Sequence, residues 1–219
     1  VLGQVPAGHL ISVLEVGAGS GGTASSLLPV LRDACARYCF TDVSEVFLRQ
    51  ARARFGEYAF VEYRLLNIDA DPRLQGYAAA DFDLIIATNV LHATPFIRTT
   101  LRHCRQLLKP GGLLVANDAL QTSAFTQITF GLTDGWWLFA ESGDPEREGH
   151  DSPLLSWEQW EPLLAQSGFA HSHCMRGEGF LQGQAAAAFW AAYWEFFSAC
   201  WEAARALMRR RAPALRSAA

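Results

Sequence analysis

The sequence is poor in charged residues and almost devoid of lysine. Charged side chains make up 18% of the 219 residues, below the roughly 25% that is typical of soluble domains, and Lys109 is the only lysine. The net charge of −4 argues against a general nucleic-acid-binding protein, because such proteins carry a basic surplus. We expect neighbouring domains to cover some of this weakly charged surface.

Two further absences bear on the setting in which the protein works. No apolar run is long enough to span a bilayer, and the first residues lack the charged-then-apolar pattern of a secretory signal. The five cysteines are odd in number and show no C-x-x-C spacing, which argues against a disulfide framework. We therefore expect reduced, buried thiols in a cytoplasmic protein.

What the chain does contain is a glycine-rich turn at the end of an apolar strand. Gly17, Gly19 and Gly22 let the backbone approach a ligand closely, and the next helix directs free N–H groups at it. Dinucleotide-binding folds share this G-x-G-x-x-G spacing, so the spacing alone does not identify the ligand. Glu15 favours S-adenosylmethionine (SAM), because a carboxylate attracts its cationic amino-acid moiety and would repel a pyrophosphate.

A second acidic residue ends the next strand. Asp42 lies about twenty residues past the glycines, the distance at which a carboxylate can hold two ribose hydroxyls. NAD and SAM both contain that ribose, so Asp42 does not distinguish them. The alternative role for Asp42 is to cap the following helix, but Ser44 is the better cap residue, and we favour the ribose role.

The alternation of apolar strands and amphipathic helices over the first 120 residues predicts an α/β fold. Short apolar runs between helices indicate a doubly wound, mainly parallel sheet of the Rossmann-like type. The predicted strands cover residues 11–16, 38–42, 60–67, 83–88 and 113–117. The predicted helices cover residues 23–34, 44–55, 95–108 and 156–166, with residues 109–112 ending the third helix before the fifth strand.

The remaining segments give weaker signals. Residues 125–139 are aromatic and place Trp136 and Trp137 where a pocket wall could form, and residues 143–151 predict a polar, mobile loop. Residues 185–208 have a helical composition, although 185–192 is the only candidate for a last strand. We expect one catalytic domain over residues 1–219, cut at both ends from a larger polypeptide.

Several of these positions should meet at one edge of the sheet. In open parallel sheets, ligands bind at the carboxyl ends of the strands. The residues that follow the predicted strands there are Glu15 to Gly22, Asp42, Asn89 to His92, and Asp118. Their side chains predict a cofactor cradle beside an acid–base pair.

Five segments resemble the SAM-dependent methyltransferase domains embedded in modular type I polyketide synthases, C-methylating members above all. They are LEVGAGSGGTASSLLPVL, YCFTDVSEVFL, FDLIIATNVLHATPFIRTTLRHCRQLLKPGGLLVAND, TFGLTDGWWLF and SPLLSWEQWEPLLAQSGF. The resemblance covers roughly residues 11 to 184 in consistent order. Family members usually carry a helical lid before the glycine motif, and only ten residues precede the first predicted strand here, so we expect that lid to be absent.

The resemblance implies a role for each matching residue. The implied cofactor-binding residues are Glu15, Gly17, Gly19, Gly22, Asp42, Asn67 and Asn89. Asn67 stands where the family usually has an aspartate for the adenine amino group, and its side-chain oxygen can accept the same hydrogen bond. His92 matches the catalytic histidine, and Asp118 stands where its glutamate partner is usual. Trp136 and Trp137 match the substrate pocket.

The implied reaction is methyl transfer from SAM to the α-carbon of a β-ketoacyl chain on an acyl carrier protein. Three alternatives remain open: O-methylation of a β-hydroxyl or enol, a catalytically silent structural domain, and, more distantly, a NAD-dependent oxidoreductase.

No metal is expected, because the cluster at residues 171–174 lacks a second ligand pair at zinc spacing. His9, His103 and His150 are predicted to lie at the surface, and the basic stripe Arg98, Arg102 and Arg105 is predicted to be either a solvated face or a carrier-docking face.

Overall fold

A parallel sheet of five strands organises residues 10–174, the part of the chain that the computed structural model describes. The strands are β1 (Ile11–Val16), β2 (Cys35–Asp42), β3 (Val61–Leu65), β4 (Phe82–Thr88) and β5 (Leu108–Asn117). Their order is β3-β2-β1-β4-β5, and all four pairings are parallel. β2 and β3 follow on one side of β1, and β4 and β5 follow on the other side. This reversal of the strand order between β1 and β4 opens a crevice at their carboxyl ends. The predicted doubly wound α/β fold is confirmed.

Six α-helices accompany the sheet in this part of the chain. They are α1 (Gly22–Leu31), α2 (Glu45–Phe55), α3 (Ile97–Leu107), α4 (Ala124–Thr129), α5 (Asp134–Ser142) and α6 (Trp157–Gln166). Ser44 caps α2 by accepting a hydrogen bond from the Val46 N–H, as predicted, so Asp42 is not needed for that task.

Two apolar cores lie on opposite faces of the sheet. One joins β1 and β4 to α3 and α6, and includes Leu14, Ile85, Leu101 and Trp160. The other joins the sheet to α1 and α2. Val13 belongs to the second core and Leu14 to the first, because successive side chains of a strand point to opposite faces. Burial on both faces explains why these strands are continuous apolar runs.

The predicted boundary before the last strand is wrong. Residues 109–112 do not precede β5 but lie within it as a bulge, since Phe82 pairs with Leu108 whereas Leu84 pairs with Leu113. Lys109 fixes the bulge through an ion pair of 2.8 Å with Asp83. Leu108 is therefore part of the sheet because it pairs with β4. The proline and glycines at residues 109–112 instead predict that Leu108 ends the helix.

Two other expectations are corrected. The supposedly mobile loop at residues 143–151 contains a turn of 3-10 helix (Pro145–Arg147), and both Asp144 and Arg147 in it are buried. His103, predicted at the surface, is also buried, and its Nδ1 lies 2.7 Å from the Ile68 carbonyl oxygen. Arg147 and His103 are buried because partners distant in sequence satisfy their polar atoms, and Asp144 is buried because it pairs with Arg147, three residues further on.

Some predictions fall outside the described residues. They concern His9, the helix at 185–208, the strand at 185–192 and the full extent of the single domain. Among residues 10–174, Cys35, Cys39 and Cys104 are free, buried thiols, whereas Cys174 is free but only half-buried, contrary to the expectation. No helix in this range is long and apolar enough to cross a membrane.

Candidate active site

The turn after β1 contains glycines of two kinds. Gly17 and Gly21 have φ values of +59° and +79°, and a Cβ on either would come within 2.6 Å of Val90 or Phe55, respectively. These two glycines are required by packing and by backbone conformation. Sequence reasoning missed Gly21, because the dinucleotide-type spacing passes over it.

The other two glycines border empty space. Gly19, with φ +55°, and Gly22 would each place a Cβ where no atom lies within 4 Å, apart from the adjacent residues and, for Gly22, the backbone of its own helix. The space beside them can therefore take a ligand that approaches the backbone closely. The glycine spacing predicted a cofactor cradle at this place, and the contact of these glycines with a cofactor stays a prediction.

Asp42 closes one side of this cradle. Its Oδ2 accepts a hydrogen bond from the Gly19 N–H and its Oδ1 accepts one from the Ser44 N–H, both at 2.9 Å. The Ala18 N–H donates to the Thr41 carbonyl oxygen at 2.8 Å, which ties the turn to the end of β2. A ribose is uncharged and its two neighbouring hydroxyls can donate two hydrogen bonds. A carboxylate that two backbone N–H groups hold beside the turn is a suitable acceptor for them.

Glu15 lies behind the turn and is 1% exposed. The Tyr38 hydroxyl donates a hydrogen bond of 2.7 Å to its Oε2, and the Thr23 side chain is a second partner. Burial raises the pKa of Glu15 from 4.5 to about 8, and the two hydrogen bonds only partly oppose that rise. Its carboxyl group already has protein partners, and its contact with a SAM cation stays a prediction.

The two asparagines predicted to contact the cofactor are both exposed. Asn67 uses its side-chain oxygen to accept a hydrogen bond of 3.0 Å from the Asp69 N–H. Asn89 adopts φ +54°, and its N–H donates to the Asn117 carbonyl oxygen at 2.8 Å. That bond joins the carboxyl ends of β4 and β5, and the cofactor contacts of both residues stay predictions.

His92 and Asp118 meet as expected from their places after β4 and β5. The Nδ1 atom of His92 lies 2.7 Å from Oδ1 of Asp118, and their side chains are 12% and 3% exposed. An ionised carboxylate only accepts hydrogen bonds, so with Asp118 ionised and the imidazole neutral this contact selects the tautomer that has the proton on Nδ1 and the lone pair on Nε2. The shorter side chain of aspartate, compared with the usual glutamate, still reaches the imidazole.

The two tryptophans have different surroundings. The Trp136 ring packs edge-on against His92 with centroids 5.8 Å apart, and it is held by Phe130 stacking and by a 3.1 Å hydrogen bond to Gln127. Trp137 is 37% exposed and donates to the Gly131 carbonyl oxygen. Trp136 therefore lines the histidine site, whereas the pocket role of Trp137 has no contact to support it.

Arg147 is a second residue at this site that the sequence did not indicate. Its Nη1 donates a hydrogen bond of 2.7 Å to the carbonyl oxygen of His92. An arginine within a polar segment usually signals exposure, and the 55 residues that separate the partners hide their contact from any local pattern. Within residues 10–174, no group of three or more His, Cys, Asp or Glu side chains is placed to hold a metal ion.

Comparison with known proteins agrees with the motif assignment. Residues 14–114 match the family described as "Methyltransferase domain". The chain is 47% identical over 164 residues to polyketide synthase ThaG of Burkholderia thailandensis, and 42% identical over 173 residues to highly reducing polyketide synthase ALT1 of Alternaria alternata. These alignments cover 73% and 75% of the chain but only 3% and 6% of the two synthases.

Solved structures lead to the same conclusion. The CurJ carbon methyltransferase superposes with a TM-score of 0.70 at 43% identity, covering 75% of this chain and 43% of that one. The trans-methyltransferase CalH, solved with SAH, gives a TM-score of 0.66 at 36% identity and covers 73% of this chain and 44% of that one. The chain therefore belongs to the SAM-dependent methyltransferases of the Rossmann-like class I fold, as a domain of the carbon-methyltransferase-like type found in polyketide synthases.

Proposed function

We propose that this domain methylates the α-carbon of a β-ketoacyl chain tethered to an acyl carrier protein. The observation that carries the proposal is the His92–Asp118 pair, which stands beside the Trp136 ring at the ligand-binding edge of the sheet. Methyl transfer to carbon needs a base for one proton and a site that keeps water away. This arrangement provides both.

The residues of the glycine turn fit the cofactor. Gly19 and Gly22 leave the space for SAM, and Asp42 would hold its ribose hydroxyls. When bound, SAM supplies an electrophilic methyl group on a positively charged sulfur. The chain itself then has to position the acceptor in line with that methyl group and remove a proton from it.

His92 acts as the base in this proposal. Its Nε2 takes the proton from the carbon between the ketone and thioester carbonyls, and the electron pair left behind is delocalised as an enolate. Asp118 accepts the hydrogen bond from Nδ1, which fixes the ring and stabilises the imidazolium that forms. The mostly buried position of both side chains strengthens that interaction.

Trp136 protects the enolate. Its ring is 4% exposed and contacts the His92 ring directly, so an apolar surface borders the place where the proton leaves. Excluding water there slows reprotonation of the carbanion before it is methylated.

The carrier protein is proposed from the polyketide synthase relatives rather than from the basic stripe. Arg98 is paired with Glu146 at 2.6 Å and hydrogen-bonded to Gln166, and Arg105 donates to the Gly168 carbonyl oxygen. Arg102 donates a longer hydrogen bond of 3.5 Å to the Thr99 hydroxyl, so all three arginines have contacts within the domain. The basic stripe is therefore best described as a solvated helix face whose side chains are held by neighbouring groups of the same domain.

The proposal is tested by offering carrier-bound β-ketoacyl and β-hydroxyacyl chains with SAM and fragmenting the products by mass spectrometry. We expect one added methyl group on the α-carbon of the ketoacyl chain. Methyl found only on a β-oxygen would replace the proposal by O-methylation. SAM binding in calorimetry without any methylated product would indicate a structural domain.

A further inference from the structure

A buried ion pair lies next to the catalytic segment. The Nε of Arg147 is 2.6 Å from Oδ2 of Asp144, and the two side chains are 0% and 1% exposed. Removing two charges from water carries a desolvation penalty of several kcal/mol per ion, and apolar residues of similar size often stabilise a fold as well. Stability alone therefore does not explain why this pair stands here.

The rest of the guanidinium group holds one short stretch of backbone. Nη1 donates to the His92 carbonyl oxygen at 2.7 Å, and Nη2 donates to the carbonyl oxygens of Thr94 at 2.6 Å and Pro95 at 3.3 Å. These carbonyls belong to the connection between β4 and α3, where Leu91–Ala93 form a single 3-10 turn. With Nε on Asp144, all three guanidinium nitrogens are in use.

The held segment has few local backbone hydrogen bonds. Its local bonds are those of the Ala93 N–H and the Thr94 hydroxyl, to the Val90 and Leu91 carbonyl oxygens, and Pro95 has no N–H to donate. The His92 ring must nevertheless keep Nδ1 at 2.7 Å from Asp118. A backbone shift of about 1 Å would lengthen that contact beyond hydrogen-bonding distance.

We propose that Arg147 is a positioning residue, which clamps the backbone from His92 to Pro95 so that the imidazole stays aligned with Asp118. The inference rests on the proposed role of His92 as the base. Asp144 orients the guanidinium and neutralises its charge, and the planar group then reaches three carbonyls from one side. Lysine cannot replace it, since a single ammonium group lacks this fork of donors.

The test compares Arg147→Lys with the double variant Asp144→Leu/Arg147→Met. The double variant removes both charges together, so it should fold without an uncompensated buried ion. Arg98→Met is the matched control, because it also removes an arginine that is bonded to the same turn, through Glu146, but makes no contact with the His92 backbone. Circular dichroism and thermal unfolding establish that each variant is folded at the assay temperature.

The first readout is independent of activity. In nuclear magnetic resonance spectra, we expect the low-field His92 Nδ1 proton in the wild-type protein and in Arg98→Met, and its loss by solvent exchange in both Arg147 variants. The second readout is turnover, with an expected fall in kcat of roughly tenfold to a hundredfold and a SAM dissociation constant within about twofold of wild type.

The proposed positioning role of Arg147 would be wrong if its folded variants kept both the Nδ1 proton resonance and the kcat of Arg98→Met. Failure of the proposed function looks different. If His92→Ala turns over at the wild-type rate, His92 is not the base, whereas the Nδ1 resonance still reports whether Arg147 positions the ring.

Discussion

At the scale of single residues, the His92–Asp118 pair carries the chemistry of the proposed reaction. We expect His92→Ala to lose about a hundredfold or more in kcat, the usual contribution of a positioned base. Its SAM affinity should stay unchanged, because Gly19 and Asp42 contact each other and not His92. Asp118→Asn should lose less, since an amide oxygen can still accept the hydrogen bond from Nδ1.

Single-turnover rates with a carrier-bound β-ketoacyl substrate measure this prediction, and calorimetry with SAM provides the control. A His92 variant with intact turnover would remove the base assignment. A variant that also loses SAM affinity would mean that the histidine supports the cofactor site and not only the acceptor site.

Most of these residues could be predicted because each follows a strand whose apolar run is evident. The exceptions depend on partners far along the chain. Arg147 meets His92 across 55 residues. Burial raises the pKa of Glu15, and its hydrogen-bond partner Tyr38, 23 residues away, only partly opposes that rise. Local sequence patterns do not reveal such long-range contacts. They therefore predict that residues 143–151 are exposed and that Glu15 is an ordinary carboxylate.

At the scale of elements, the turn between β1 and α1 allows a matched experiment. Gly19→Ala and Gly21→Ala both place a side chain at positive φ, so they share the same kind of backbone strain. We expect Gly19→Ala to weaken SAM binding by about tenfold, because its Cβ would enter ligand space. Gly21→Ala should mainly destabilise the fold, because its Cβ would lie 2.6 Å from the Phe55 ring.

Calorimetry gives the SAM dissociation constants of the two glycine variants, and urea unfolding gives their stabilities. Equal effects of both substitutions on SAM affinity would show that the space beside Gly19 is not where the cofactor binds. Equal losses of stability would contradict the distinction between cradle and packing glycines.

The sequence predicts the limits of some strands more accurately than those of others. β1 has the predicted limits, and β4 begins one residue earlier at Phe82, because buried parallel strands are short and uniformly apolar. β5 was predicted to begin at Leu113 but begins at Leu108. The intervening glycines and proline dominate any local interpretation, whereas the pairing of Leu108 with Phe82 is a tertiary effect.

At the scale of the whole molecule, Glu15 links the stability of the fold to pH. Its pKa is about 8 in the folded protein and 4.5 as the ordinary value, so the folded state binds the proton more tightly than the unfolded chain. This stabilisation is fully present below the unfolded pKa and is lost as pH rises through the folded one. We expect the free energy of unfolding to fall by on the order of a few kcal/mol across that range.

Urea unfolding at several pH values between about 5 and 8.5 measures the slope. Glu15→Gln mimics the protonated acid and should flatten it. Asp71→Asn is the control, because pairing with Arg73 lowers the pKa of that exposed carboxylate to about 2, so its contribution lies well below the tested range. A Gln variant with the wild-type slope would show that another group titrates.

The division of the sheet into two halves has an evolutionary consequence. Gly19 and Asp42 follow β1 and β2, whereas His92 and Asp118 follow β4 and β5, and Arg147 bonds to the His92 backbone. Mutational drift in the second half can therefore abolish turnover while leaving nucleoside capture intact. If His92 is the base, one substitution there yields a descendant that binds SAM without turnover, and a substitution of Arg147 yields one that binds SAM with reduced turnover.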